Sequence, residues 1–192
     1  MPDSGAADAV RDACQALQHS GVDAAKAVVT SRYPFNPAER VKRTYGPREA
    51  LQVFVRDGFV DRYSGKRLVL PPVLDILHLR MPTEFPWHPN WRTDLTHAAF
   101  NELAATVDHV VPVTLGGADA IDNWVTTSMA RNFAKSNFRL EELGWSLHPA
   151  GDVRVWDGML VWFVEYAQEN PDVAKAPRIR KWLLPARAAR TQ

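Results

Sequence analysis

The spacing of hydrophobic positions changes several times along the chain, and each change marks an element. Ala6, Ala9, Val10, Cys14 and Leu17 recur at near-helical spacing ahead of Gly21, which predicts a helix over residues 5–19. A second helix is expected over 23–32, ending before Pro34. Pro47 suits the first position of a third helix, whose stripe of Ala50, Leu51, Phe54 and Val55 stops at Asp57-Gly58. Residues 59–70 read as a hairpin turning at Ser64-Gly65, and Pro71-Pro72 can open a helix over 73–81. Pro82–Trp91 is expected to be an ordered loop, because Phe85, Trp87 and Trp91 favour burial. The β-branched run Thr106–Val111 predicts a strand ended by Pro112, with a loop at Gly116-Gly117 and a short return strand at Asn123–Val125. Thr126, Thr127 or Ser128 can then cap a helix that runs to near Ser136. The aromatic-rich stretch Val153–Glu169 predicts a further helix with its rings in the core, and the tail 175–190 continues helical and basic.

This order of elements predicts an α+β fold, a small β centre within a mostly helical single domain. Repeats and low-complexity segments are not visible. The 192 residues suit one domain on the usual ~100–200 residues each. We divide the chain into an N-terminal helical region (1–58), a central region (59–140) and a C-terminal helical extension (141–192). Lys+Arg 23 against Asp+Glu 22 leaves a net charge of +1, so any polyanion site must come from local clustering. Such clusters lie at Arg40–Arg56 and in the tail, where Lys175, Arg178, Arg180, Lys181, Arg187 and Arg190 have no acid among them. That tail reads either as a solvated face or as a track for a phosphate backbone. Cys14 is alone, which excludes an internal disulfide and a cysteine-rich zinc ribbon. The apolar run 159–164 is far short of the ~20 residues that span a bilayer. Asp3, Asp8 and Arg11 stand where a signal peptide needs apolar residues, so a cytoplasmic setting and no membrane partner are expected.

The chemistry concentrates between residues 106 and 137. The first strand delivers Asp108 and His109 as neighbours, and Asn132 and Lys135, three apart on the following helix, share a face. Strand, loop, strand and helix thereby carry a carboxylate, an imidazole and two amides toward one region. Asn123 follows His109 by fourteen residues, and Asn132 follows Asn123 by nine. With Pro112, Gly116-Gly117, Asp122-Asn123 and the ending Asn132-x-x-Lys135-Ser136, this pattern resembles the HNH nucleases of the ββα-metal, or His-Me finger, group. It is particularly similar to the cysteine-free HNH domain of RNA-guided CRISPR effector nucleases. About 30 residues match closely, and about 80 with the 59–70 hairpin included.

The resemblance implies that the small β centre is a ββα-metal centre and that residues 59–140 form an HNH core with an insertion. It implies a metal-dependent endonuclease with His109 as general base and Asp108 and Asn132 as ligands of Mg²⁺, for which Mn²⁺ would substitute. Asn123 would pin the loop and orient His109, and Lys135 or Arg131 would contact a phosphate. DNA is the expected substrate, with 5′-phosphate and 3′-hydroxyl products. Many members carry two Cys-x-x-Cys pairs around zinc. Their places fall here on Asp61 with Ser64 and on Ser128 with Arg131, so no structural zinc is expected.

Alternatives stand beside this reading. Asn123 serves as a structural amide on any account, and Lys135 is as compatible with solvent exposure as with phosphate contact. His19, His78, His88, His97 and His148 have no ligand spacing, although His97 with Asp94 lies close upstream of the strand. The insertion before Asp108 either shapes substrate access or adds core. The chain could also be a non-catalytic nucleic-acid-binding module, or a subunit directed to its target by a protein partner.

Overall fold

The structure is a computed structural model that describes residues 5–35 and 45–190, so Arg40, Lys42 and Arg43 of the first basic cluster lie outside the described residues. The chain divides into two compact units, Met1–Arg40 and Val41–Gln192. In the first, α1 (Gly5–Ser20) and α2 (Val22–Arg32) form a helical hairpin about Gly21, whose φ of 88° is left-handed backbone that suits glycine. Among the described residues of this unit only Ala9 is buried. Two helices alone cannot cover both faces, and Val10, Leu17, Val22 and Val29 stay exposed.

The second unit is mixed α and β and mostly helical. Helix α3 (Pro47–Arg56) starts on its proline, with Glu49 accepting the Gly46 N–H at 2.8 Å. Burial of Ala50, Leu51, Val53 and Phe54 turns it toward both strands and the C-terminal helix. After α4 (Pro71–Arg80) and the short α5 (Ala99–Glu102), β1 (Ala105–His109) pairs antiparallel with β2 (Trp124–Ser128). The register sets Asp108 opposite Val125 and His109 opposite Trp124. Helix α6 (Met129–Lys135) follows β2 directly, its N-cap Ser128 accepting the Arg131 N–H at 3.3 Å. The chain finishes with α7 (Leu140–Leu143), α8 (Leu160–Glu169), α9 (Pro171–Lys175) and α10 (Pro177–Arg190).

The main core joins α3, α8 and α10 to the sheet through Phe54, Phe59, Val107, Trp124, Phe163 and Trp182. A second cluster seats Phe85, Trp87 and Trp91 against Leu74 and Phe100, so the Pro- and Trp-rich insertion contributes core. A third, of Tyr63, Val125 and Leu140, lies near Trp145.

Two expected elements take another form. Residues 59–70 make no regular hairpin ladder but one antiparallel bridge, Val60 to Arg67, and one parallel bridge, Val69 to Ala104. The turn closes locally, with Asp61 N–H to Lys66, Leu68 N–H to Phe59 and Gly65 N–H to Asp61, while the amides of Arg62, Val69 and Leu70 reach the distant carbonyls of Thr126, Leu103 and Gly158. The helix expected over 153–169 begins only at Leu160. Gly158 and Met159 both have left-handed φ, and Asp157 accepts the N–H groups of Met159 and Val161 to start the helix there. Glycine is required at 158 because a Cβ would lie 2.1 Å from the Phe59 ring.

Candidate functional site

The site forms where β1 ends and α6 crosses it. Asn132 donates from Nδ2 to the Val107 carbonyl at 3.2 Å. One turn later Lys135 Nζ donates to the His109 carbonyl at 2.7 Å and pairs with Asp108 Oδ2 at 3.1 Å. The helix is thus stitched to the strand on either side of Asp108.

Asp108 itself is 8% exposed. Its Oδ2 also accepts the Tyr63 hydroxyl at 2.8 Å. Burial first, and then the Asp108 charge, push the Tyr63 phenol far above its ordinary range and hold it as a donor. Lys135 is fully buried, with its ammonium 5.8 Å from the Tyr63 ring centroid. A phosphate contact from Lys135 was expected from the resemblance. Its ammonium is instead turned inward, because a buried carboxylate needs a counter-charge. Arg131 lies over the Trp145 ring at 5.1 Å, a stacking that holds its guanidinium there.

His109 occupies the other side. Its Nε2 lies 2.8 Å from Asp119 Oδ1, with both side chains almost buried. Trp124, its cross-strand partner, brings the indole Nε1 to 3.0 Å from that same Nε2 and 3.1 Å from Asp119 Oδ1. Asp119 was missed by sequence reasoning, as was Tyr63. Asp119 sits ten residues from His109 across an irregular loop, and an acid beside glycines carries no periodic signal.

Asn123 builds that loop. Its Oδ1 accepts the Val111 N–H at 2.9 Å, while Nδ2 donates to the carbonyls of Val111 at 2.9 Å and Ala118 at 2.8 Å. Gly116 takes a φ of 85°, and a Cβ on Gly117 would lie 1.9 Å from the Val111 carbonyl oxygen. Both glycines are therefore needed for the loop to close on Asn123 and set Asp119 beside His109.

Three atoms that can serve as acceptors are left over: Asp108 Oδ1, Asn132 Oδ1 and, in the Nε2–H tautomer, His109 Nδ1. None has a hydrogen-bond partner among the described residues. The fully buried side-chain polar atoms without a partner are Ser64 Oγ and Trp87 Nε1, so the three acceptors touch solvent. Two hard oxygens and an imidazole nitrogen can bind a small divalent cation and accept a proton. No group of three or more His, Cys, Asp or Glu side chains suited to a metal comes together among the described residues. Any ion here would therefore keep most of its coordination for water and substrate oxygens. His97 is spent elsewhere: its ring stacks on Phe85 and its Nδ1 accepts the Ala99 N–H. No helix among the described residues is long and apolar enough to cross a membrane. No protein-family model, curated protein or solved structure matches this chain.

Proposed function

We propose that this chain is a metal-dependent endonuclease of the HNH kind, hydrolysing phosphodiester bonds in DNA. The observation that carries the reading is the set of three open acceptors in a site where the other polar groups are tied down. The acid and the base each keep one atom open to solvent at the same strand end, where an ion and an attacking water could be held. The antiparallel strands with α6 across them, and the pinned loop between them, also agree with a ββα-metal centre.

In this mechanism His109 Nδ1 takes a proton from the attacking water, whose oxygen forms the new bond to phosphorus. The bond from phosphorus to the 3′ oxygen breaks, and the departing oxygen takes a proton from solvent, leaving a 5′-phosphate and a 3′-hydroxyl. Asp108 Oδ1 and Asn132 Oδ1 would hold Mg²⁺ or Mn²⁺, which when bound supplies Lewis-acid stabilisation of the charge on the phosphate and leaving oxygen. Lys135 holds Asp108 through Oδ2 while Oδ1 stays open. Asn123 holds the loop, and so the surroundings of His109, in place.

A protein partner enters the proposal through one observation, the apolar residues exposed on the α1–α2 hairpin. Such a partner would select the target for a chain whose net charge of +1 favours only weak DNA binding of its own.

The test is nicking of supercoiled plasmid with Mg²⁺ or Mn²⁺ by the wild type, Asp108→Ala and His109→Ala. His109→Ala should lose ~10²–10⁴-fold in rate, as expected for a missing general base. Metal-independent cutting, or full activity in either variant, would remove this active site from consideration.

A further inference from the structure

The proton on the His109 ring is contested by two neighbours. Asp119 Oδ1 and Trp124 Nε1 both lie within hydrogen-bond distance of Nε2, at 2.8 and 3.0 Å, and they lie 3.1 Å from each other. An indole N–H can only donate, and an ionised carboxylate can only accept. Nε2 therefore has two exclusive states. Unprotonated, it accepts from Trp124 and sets its lone pair against the carboxylate at 2.8 Å. Protonated, it donates to Asp119, the indole donates to the same oxygen, and no lone pairs oppose one another. The second state uses both N–H groups and is favoured in a site where His109 is 6% exposed.

We propose that Asp119 is a positioning residue that fixes His109 as the Nε2–H tautomer and so leaves Nδ1 as the free base. Trp124 makes the choice all-or-none. Once the carboxylate is gone, its N–H is aimed at Nε2 alone and drives the ring proton to Nδ1. Both ring nitrogens are then blocked, one by a proton and the other by the indole. Asp119 reaches this place through the Asn123 bond to the carbonyl of the adjacent Ala118 and through the glycine pair. The inference rests on the nuclease reading for its consequence, the rate, but not for the tautomer.

Two measurements test it. The first uses metal-free protein with ¹⁵N-labelled histidine at a pH where the imidazole is neutral, and long-range ¹H–¹⁵N spectra assign the ring proton. Wild type should show a protonated Nε2 and a bare Nδ1, and Asp119→Ala should show the reverse. The second is cleavage kinetics. Asp119→Ala should lower kcat ~10²-fold with KM little changed, and Asp119→Ala/Trp124→Phe should regain at least tenfold by releasing Nε2. A merely structural Asp119 would make the double variant slower than the single one. A wild-type ring protonated on Nδ1, or a double variant with no recovery over Asp119→Ala, overturns the proposal. If Asp119→Ala does not fold, the wild-type spectrum decides alone: a ring protonated on Nδ1 overturns the assignment. A wild type that never cuts DNA yet shows the expected tautomers removes the nuclease reading and leaves the tautomer assignment standing.

Discussion

The carboxylate of Asp61 accepts the hydroxyl of Ser128 at 2.9 Å, joining segments 67 residues apart in the chain. The same carboxylate takes the N–H of Ser128 at 3.1 Å, the hydroxyl of Thr127 at 3.0 Å and the N–H of Tyr63 at 2.9 Å. A buried carboxylate with four donors clasps the irregular 59–70 segment to the end of β2.

Asp61→Ala should therefore cost about 2–4 kcal/mol in urea unfolding, since it strands several buried donors at once. Asp61→Asn should be nearly as harmful, because its NH₂ would meet N–H and O–H donors. Wild-type protein should contain no stoichiometric zinc by elemental analysis and should keep its thermal midpoint in EDTA.

Lys135→Met should destabilise by about 3–5 kcal/mol, the effect of leaving the Asp108 charge buried and uncompensated. Lys135→Met/Asp108→Asn removes both charges and should recover more than half of that loss. A double-mutant cycle by chemical denaturation measures this coupling, and additive losses would contradict the ion pair.

Tyr63 links stability to alkaline pH. Its folded pKa is raised by burial and by Asp108, so the stability it contributes is complete below the unfolded phenol pKa of about 10 and is lost as pH climbs beyond it. Above that point the wild type should lose about 1.4 kcal/mol per pH unit more than Tyr63→Phe, as the unfolded chain alone releases the proton. Parallel stability curves for the two proteins would remove this linkage.

Asn123→Asp isolates the loop. The carboxylate can still accept from Val111 N–H but meets the carbonyls of Val111 and Ala118 without a donor. We expect Mn²⁺ binding by calorimetry to change little, and cleavage to fall ~10–10²-fold through displaced surroundings of His109. Loss of Mn²⁺ binding in this variant would place Asn123 among the ligands instead.

On α10, Arg178 and Arg190 are engaged with Asp75 and Glu165, each at 2.6 Å, whereas Arg180, Lys181 and Arg187 are exposed cations. Replacing the three exposed cations by Ala should lower the salt slope of DNA binding by ~0.9 for each phosphate that is no longer neutralised. Arg178→Ala should instead lower stability, since its guanidinium stacks on Trp87 at 3.7 Å. An unchanged slope in the triple variant would assign the tail to packing or to a protein partner.

The sequence by itself determined what depends on near neighbours. Pro47 and Pro71 start helices, one of Thr126, Thr127 and Ser128 caps another (Ser128 in the structure), and the β-branched run before Pro112 makes a strand, because backbone preference and capping act within a few residues. The loop role of Asn123 was also legible, since a loop amide commonly bonds nearby backbone and the resemblance implied the same, and its bonds to Val111 and Ala118 carry it out. Tertiary structure alone decided the rest. Lys135 reads as a phosphate-contacting or solvent-exposed cation on a short helix until Asp108, 27 residues earlier, draws it into the interior. Asp119 reads as loop polarity until the strand register sets Trp124 opposite His109 and makes a triangle of the three. Residues 59–70 keep a hairpin's turn, yet the amides of Arg62, Val69 and Leu70 find partners on β2, before β1 and ahead of α8, because those carbonyls are brought within reach only by the packed core. Such contacts are closed by the sum of many burials across the fold, and no window of sequence contains that sum.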